Sequence, residues 1–243
     1  MNSVIDELRD DANYYGEIGR RYLSNSDIGK LLNNPKMYGV PEPDNVNFAK
    51  GRYFHQLILE PEKAANIKTI DSSSRNTKVY KDAVLAEGAE FMLLDRERKE
   101  IEALVKIMMS NIDFFDLIMK TGNVYEEPAV GMIKGRLWKG KADIISDEVI
   151  VDLKTTSSIK DFKYSAKKYN YDSQCYIYQK LFDKPLVFFV IEKQSGMMGM
   201  YRPSDEFIRQ GEYKVEDAIE VHDKFFSDEA SYDIENYYIK ETL

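Results

Sequence analysis

The stretch that most limits what this chain can fold into is residues 140–158, Gly-Lys-Ala-Asp-Ile-Ile-Ser-Asp-Glu-Val-Ile-Val-Asp-Leu-Lys-Thr-Thr-Ser-Ser. Two runs rich in β-branched residues, 141–146 and 149–155, flank the polar pair Asp147-Glu148, the pattern of a tight hairpin. If that pair forms the loop, Asp143 falls opposite Asp152. Cross-strand partners sit about 5 Å apart and like charges held that way destabilise a sheet, so a positive charge is expected between them. Side chains two apart on a strand share a face. Val149, Val151 and Leu153 therefore point one way, and Ile150, Asp152 and Lys154 the other. One face gathers a carboxylate, an ammonium and a second carboxylate from across the hairpin. That set suits a hard cation with oxygen ligands, most simply Mg²⁺, with a lysine to orient water or steady developing negative charge. A plain ion pair of Lys154 with Asp152 or Asp143 at a sheet end is the alternative. No Asp-Gly type turn fixes the register.

The motifs then follow in order. Gly140-x-x-Asp143, Asp152-Leu153-Lys154-Thr155 and Gln174-x-x-x-Tyr178 together resemble the motif series of the PD-(D/E)XK nucleases of the RecB/RecE branch, most closely the phage-type exonuclease VIII (RecE-like) group. Gly51-x-x-x-His55-x-x-x-Leu59-Glu60-Pro61 is similar to that group's Gly/His/Leu-Glu-Pro signature. Ser24-Asn25-Ser26-Asp27, a short helix over 28–32 and Pro35 resemble its N-terminal cap and proline. The resemblance implies an α/β fold, a central mixed β-sheet flanked by helices around a restriction-endonuclease-like core, with a helical N-terminal half. It implies His55, Glu127, Asp143 and Asp152 as metal ligands, with Leu153 counted at the metal, and Asp143, Asp152, Lys154 and Glu127 as the catalytic set.

Two of these assignments have rivals in the residues themselves. His55 borders an apolar stripe of Phe54, Ile58 and Leu59, where a lone histidine is ordinarily a core or surface residue. The resemblance makes it a ligand, and a neutral imidazole completing a carboxylate site is compatible with Mg²⁺ or Mn²⁺. Glu126 competes with Glu127, because one slip of register exchanges their faces. Either could instead be an edge-strand charge that discourages aggregation.

A helix over 165–182 sets Tyr171, Gln174 and Tyr178 on one face at spacings of three and four. Gln174 and Tyr178 can hydrogen-bond phosphate or water, Lys167 and Lys168 can meet a nucleic-acid backbone, and Thr155 opens a hydroxyl-rich turn beside the site. A helix packing its tyrosines on the sheet is the ordinary reading of the same spacing. The implied activity is Mg²⁺-dependent 5′-to-3′ exonuclease action on linear double-stranded DNA, leaving a 3′ single strand for recombination. A single-strand annealing protein is the implied partner and homo-oligomers the implied assembly. An endonuclease, a nuclease of other polarity or on RNA, a non-cutting DNA- or protein-binding module and a purely structural ion-pair site are the rivals.

Net charge weighs against a nucleic-acid enzyme at first, since phosphate contacts need Lys and Arg and the chain carries −8. The excess is local. Residues 203–243 hold twelve acidic against four basic side chains, whereas 134–184 hold eleven basic against seven acidic. A basic channel on an acidic protein is consistent with this, as is ordinary solvated charge. The single cysteine, Cys175, excludes an internal disulfide and a four-cysteine zinc or iron–sulfur site.

At 243 residues the chain is read as one nuclease domain. A mainly helical part runs over 1–121, a catalytic sheet core over 122–202, and an acidic helix and tail over 203–243. No run approaches the roughly 18 apolar residues of a spanning helix. The acidic start lacks a signal peptide's basic and apolar regions, so a cytoplasmic location with no membrane partner is expected. Residues 1–21 read as one amphipathic helix, 48–59 as a helix carrying His55, 71–77 as a mobile polar loop and 78–120 as helical with breaks at Gly88 and Asn111. Residues 186–192 read as a buried strand, Gln194-Ser195-Gly196 as a turn into 197–201, and His222 as a surface residue on a final helix over 205–227.

Overall fold

Capping side chains and prolines cut the first half of the chain into short helices in the computed structural model, which describes residues 2–240. The expected single helix over 1–21 is instead α1 (Asn2–Leu8) and α2 (Asp11–Tyr15), broken where the Asp10 carboxylate accepts the Ala12 N–H. A capping box of Ser24 and Asp27 starts α3 (Asn25–Asn33), which stops ahead of Pro35. The Asn45 side chain accepts two N–H groups at the start of α4 (Val46–Leu59), and Pro61 opens α5 (Pro61–Ala64).

Next come β1 (Thr69–Ile70), α6 (Lys78–Glu87), β2 (Leu93–Leu94), α7 (Asp95–Ser110) and α8 (Ile112–Ile118). Gly88 ends α6 with φ +61, as its place in the pattern predicts. The two-residue parallel pairing of β1 with β2 was hidden by its length, too short to show a period. The 71–77 loop is tied down, contrary to expectation. Its Ser72 and Thr77 hydroxyls lie 2.6 Å apart, and Arg75 reaches Glu97 at 2.5 and 3.0 Å.

The second half builds the sheet from β3 (Val124–Ile133), β4 (Arg136–Ile145), β5 (Ile150–Thr156), β6 (Leu186–Glu192) and β7 (Met198–Tyr201). Lys134 and Gly135 both have positive φ, +50 and +79, and join β3 to β4 in a two-residue hairpin. Spatial order follows chain order. Neighbours are antiparallel except β5 and β6, which are parallel. A parallel pair needs a crossover, supplied by α9 (Phe162–Lys168) and α10 (Tyr171–Phe182). Asn170, at φ +58, breaks what the sequence suggests is one helix over 165–182. α11 (Asp205–Phe225) follows β7.

Helices cover both faces of the sheet, giving the mixed α/β architecture expected. Ile150, Phe188 and Val190 pack with residues of α3, α10 and α11. Val151, Leu153, Val187, Phe189 and Ile191 pack with α4, α7 and α8. Burial on both faces is why 186–191 is apolar without alternation. Gly140 lets α10 lie close on β4, since a Cβ there would stand 2.9 Å from the Tyr178 ring and 3.1 Å from Leu181. His222 is not a free surface residue. Its ring meets Tyr38 edge to face, with centroids 5.4 Å apart.

Candidate metal centre in a fork between two strands

Register at the central hairpin is the one the Asp147-Glu148 loop predicts, with Ile145 opposite Ile150 and Ile144 opposite Val151. The ladder ends there and the strands part, so Asp143 and Asp152 do not form a ladder pair. Asp143 fills the fork instead. Its Oδ2 accepts the Leu153 N–H at 2.7 Å and lies 3.4 Å from His55 Nδ1. Asp152 takes its partners from the other layer, with Lys154 Nζ 2.5 Å from Oδ2 and Gln174 Nε2 donating to Oδ1 at 2.6 Å. The positive partner expected between the aspartates is thus Lys154 on β5 for Asp152, while Asp143 faces His55 on α4, an imidazole that is charged only when protonated. The Lys154 contact is ionic and lacks the angles of a directed hydrogen bond, leaving Asp152 Oδ2 a buried oxygen without one.

The carboxylate that the structure brings beside His55 and Asp143 is Glu126, the rival of the expected Glu127. Along β3 and β4, Tyr125 pairs with Ile144 and Glu127 with Ala142, so Glu126 stands opposite Asp143 at the one unpaired step. Glu126 has φ +50, a left-handed conformation that costs a non-glycine residue about 1–2 kcal/mol. Strand alternation breaks at this step. Ala142 packs with the α10 layer, while Ile144, two residues on, packs with the α4 layer. Ligand atoms of His55, Glu126 and Asp143 lie within 4.8 Å of one another. Glu127 turns to the surface and holds Arg9 through both oxygens, at 2.6 and 3.0 Å. A distorted, non-glycine backbone persists where its surroundings over-determine it, and such positions cluster at functional sites.

Burial and mutual repulsion shape the charges. Burial pushes the Glu126 carboxyl up to about 7, with Asp143 adding to the rise. Burial also raises Asp152, against the opposing pull of Lys154. Burial works to raise Asp143 too, but His55 outweighs it, helped by Lys154 and the Leu153 N–H, and holds that carboxyl low. The two basic groups respond in turn. Burial disfavours their charged forms, yet Asp143 raises His55 and Asp152 raises Lys154. Carboxylate oxygens crowded around one imidazole in a partly buried cleft fit a hard divalent cation of the Mg²⁺ or Mn²⁺ kind.

The remaining expected site residues are placed as follows. The Leu153 side chain is in the core, and its N–H is committed to Asp143. Tyr178 donates its hydroxyl to the Lys141 carbonyl at 2.9 Å and is buried, so it braces β4. Thr155 belongs to β5, which runs on to Thr156, and not to a turn. Lys167 and Lys168 are exposed at the end of α9, off the helix that carries Gln174. Tyr171 stands 5.0 Å below the Lys154 amine. Sequence reading passed over Lys141, whose amine is 3.8 Å from Glu126 Oε2. Its position two residues before Asp143 was the available signal.

Residues 35–232 match the family described as PDDEXK-like domain of unknown function (DUF3799), and the chain belongs to that family. No curated protein matches the sequence. Among solved structures, the "Putative exonuclease" from Eubacterium rectale superposes with a TM-score of 0.64 at 19% identity, over 96% of this chain and 95% of that one. A phage related exonuclease from Haemophilus somnus 129PT aligns over 65% of this chain and 89% of its own, at 15% identity and a TM-score of 0.34. The first of these likenesses establishes a shared fold, the same PDDEXK-like arrangement that the family match gives.

Proposed function

We infer that this protein is a metal-dependent nuclease that hydrolyses DNA phosphodiesters, and that it acts as a 5′-to-3′ exonuclease on linear duplex, leaving a 3′ single strand for recombination. The observation that carries the reading is the convergence, in the β4–β5 fork, of His55, Glu126 and Asp143 with the Asp152–Lys154 pair. The exonuclease step also draws on the motif order and on the likeness to the Eubacterium rectale protein.

His55, Glu126 and Asp143 would hold the cation, with Asp152 adjoining. A divalent ion bound there supplies positive charge against the phosphoryl oxygens and lowers the pKa of water. Lys154 keeps its proton because Asp152 faces it, so its ammonium is available to steady charge on the scissile phosphate. Gln174 holds Asp152 by one oxygen and fixes the direction of the other. His55, with Nδ1 3.4 Å from Asp143 Oδ2, helps fix the direction of that carboxylate. Tyr171 gives the Lys154 amine an aromatic face to rest on. No covalent enzyme intermediate is required, and Cys175, buried with its thiol pushed up by burial, is unsuited to form one.

The test is digestion of 5′- and 3′-labelled linear duplex with Mg²⁺, beside a closed circular duplex. Loss of 5′ label as mononucleotide, with the circle intact, is the expected result. Asp152→Asn and Lys154→Ala should each cut at least about 100-fold more slowly. Full cleavage by the Asp152 variant would sink the site assignment. Cutting of the circle would make the protein an endonuclease, and binding without cutting would leave a nucleic-acid-binding module.

A further inference from the structure

The N-terminal segment, residues 2–21, lies against the strand that leads to Asp143. Lys139 and Lys141 share one face of β4 and are nearly enclosed, Lys139 at 6% exposure and the Lys141 side chain at 9%. Lys139 donates to the Tyr14 carbonyl, and its amine stands 4.3 Å from the centre of that ring. Lys141 sits between the segment and the acidic cluster, 5.0 Å from the Tyr14 ring and 3.8 Å from Glu126 Oε2. Asp11 closes over it. One Asp11 oxygen is ion-paired with Lys141, and the other lies 3.0 Å from Lys63 Nζ.

Two oxygens offered to two amines, immediately beside a cluster suited to a divalent cation, reproduce what a phosphate group would present there. The segment that brings them is held chiefly by polar contacts. Its helices have seven and five residues, too short to persist alone, and its buried apolar side chains are Leu8 and Tyr14. Arg9, which ties it to Glu127, is half exposed.

We propose that Lys141 is a phosphate-binding residue beside the acidic cluster, that Asp11 occupies its amine in the free protein, and that a nucleic-acid phosphate takes the place of Asp11 and frees residues 2–21 from β4. This rests on the nuclease reading and adds to it the group that competes with substrate.

The experiment measures binding of a labelled linear duplex in EDTA, where cleavage is off, for the wild type, Asp11→Ala, Lys141→Ala and the double variant. Amide hydrogen exchange of residues 2–21 is followed in the wild type with and without duplex. Asp11→Ala should bind about 3- to 10-fold tighter, and Lys141→Ala about 10-fold weaker with a salt dependence shallower by about one ion. In the Lys141→Ala background, removal of Asp11 should change affinity less than about twofold, because the two act as one pair. Amides of residues 2–21 should exchange faster once duplex is bound.

An Asp11→Ala gain that persists undiminished without Lys141 would reduce the effect to long-range charge and overturn the proposal. Unchanged affinity in Asp11→Ala would do so as well, as would unchanged or slowed exchange. Asp11 is half exposed, so its variant and the exchange experiment decide the matter even if Lys141→Ala fails to fold. A wild type that cuts linear duplex while both variants bind as it does refutes the subsite alone. A wild type that neither binds nor cuts refutes the nuclease reading and the subsite with it.

Discussion

Glu126 and Glu127 are chemically identical neighbours given opposite tasks by one backbone angle. Glu126, at φ +50, is aimed into the fork with Asp143 and His55, while Glu127 is spent on Arg9 at the surface. Glu126→Gln is therefore expected to lower cleavage at least about 100-fold, and Glu127→Gln to leave it within about threefold. Equal losses in the two variants would refute the division. Asp143, Asp152, Lys154 and His55 were legible as a group because motif spacing carries them. The choice between the two glutamates was not, since alternation assumes an unbroken strand and no glycine or asparagine marks the left-handed step. The expected Asp143–Asp152 ladder pair failed for a related reason. A carboxylate can take a strand's place as acceptor for the Leu153 N–H, and this ends the ladder.

At the scale of elements, Glu97 joins three pieces of the N-terminal half. It accepts from Arg75 of the 71–77 loop, from Lys50 of α4 at 2.8 Å, and from the Leu94 N–H at the start of its own helix, α7. Burial opposes its charge, but Arg75, Lys50 and the Leu94 N–H prevail and hold the carboxyl down to about 2, against 4.5 when free. A depressed carboxyl stabilises the fold above its unfolded value and loses that contribution as pH falls through the folded one. Glu97→Gln should therefore cost on the order of 2–3 kcal/mol at pH 7, and the gap to wild type should shrink by more than half at pH 3. Denaturant titration at the two pH values checks it, and a gap independent of pH would refute it. The 71–77 loop looked mobile because its residues are polar. What orders it is a buried partner 22 positions away, which local sequence does not display. Helix ends at Ser24 and Gly88 were easier to place, since their caps are contacts within a few residues, whereas α4 starts two residues before the expected 48, where Asn45 caps it.

For the molecule as a whole, the acidic cluster should make stability depend on divalent cations. An ion that binds only the folded state stabilises it by RT ln(1 + [L]/Kd), about 1.4 kcal/mol at ten times Kd. For a domain of this size that raises the melting temperature by about 3–6 °C. The rise is expected with Mg²⁺ or Mn²⁺ in the wild type and absent in Glu126→Gln. A wild type that melts at the same temperature with and without either ion would count against the metal centre. Among the described residues no helix is long and apolar enough to cross a membrane. The antiparallel part of the sheet was also legible, because strands over 124–156 lie next to one another in sequence, whereas the parallel pairing of β5 with β6 followed only from the family resemblance. The docking of the N-terminal segment was not, because its partners are far along the chain.

That separation bears on how the protein comes into being on the ribosome. Arg9, Tyr14 and Asp11 emerge before the side chains that receive them, which are 118, 125 and 130 positions downstream. Each new strand can settle beside the one just made, whereas this segment must wait, unattached, until β3 and β4 have been synthesised. Whatever it covers in the finished molecule is accordingly bare during the interval in which the sheet takes shape.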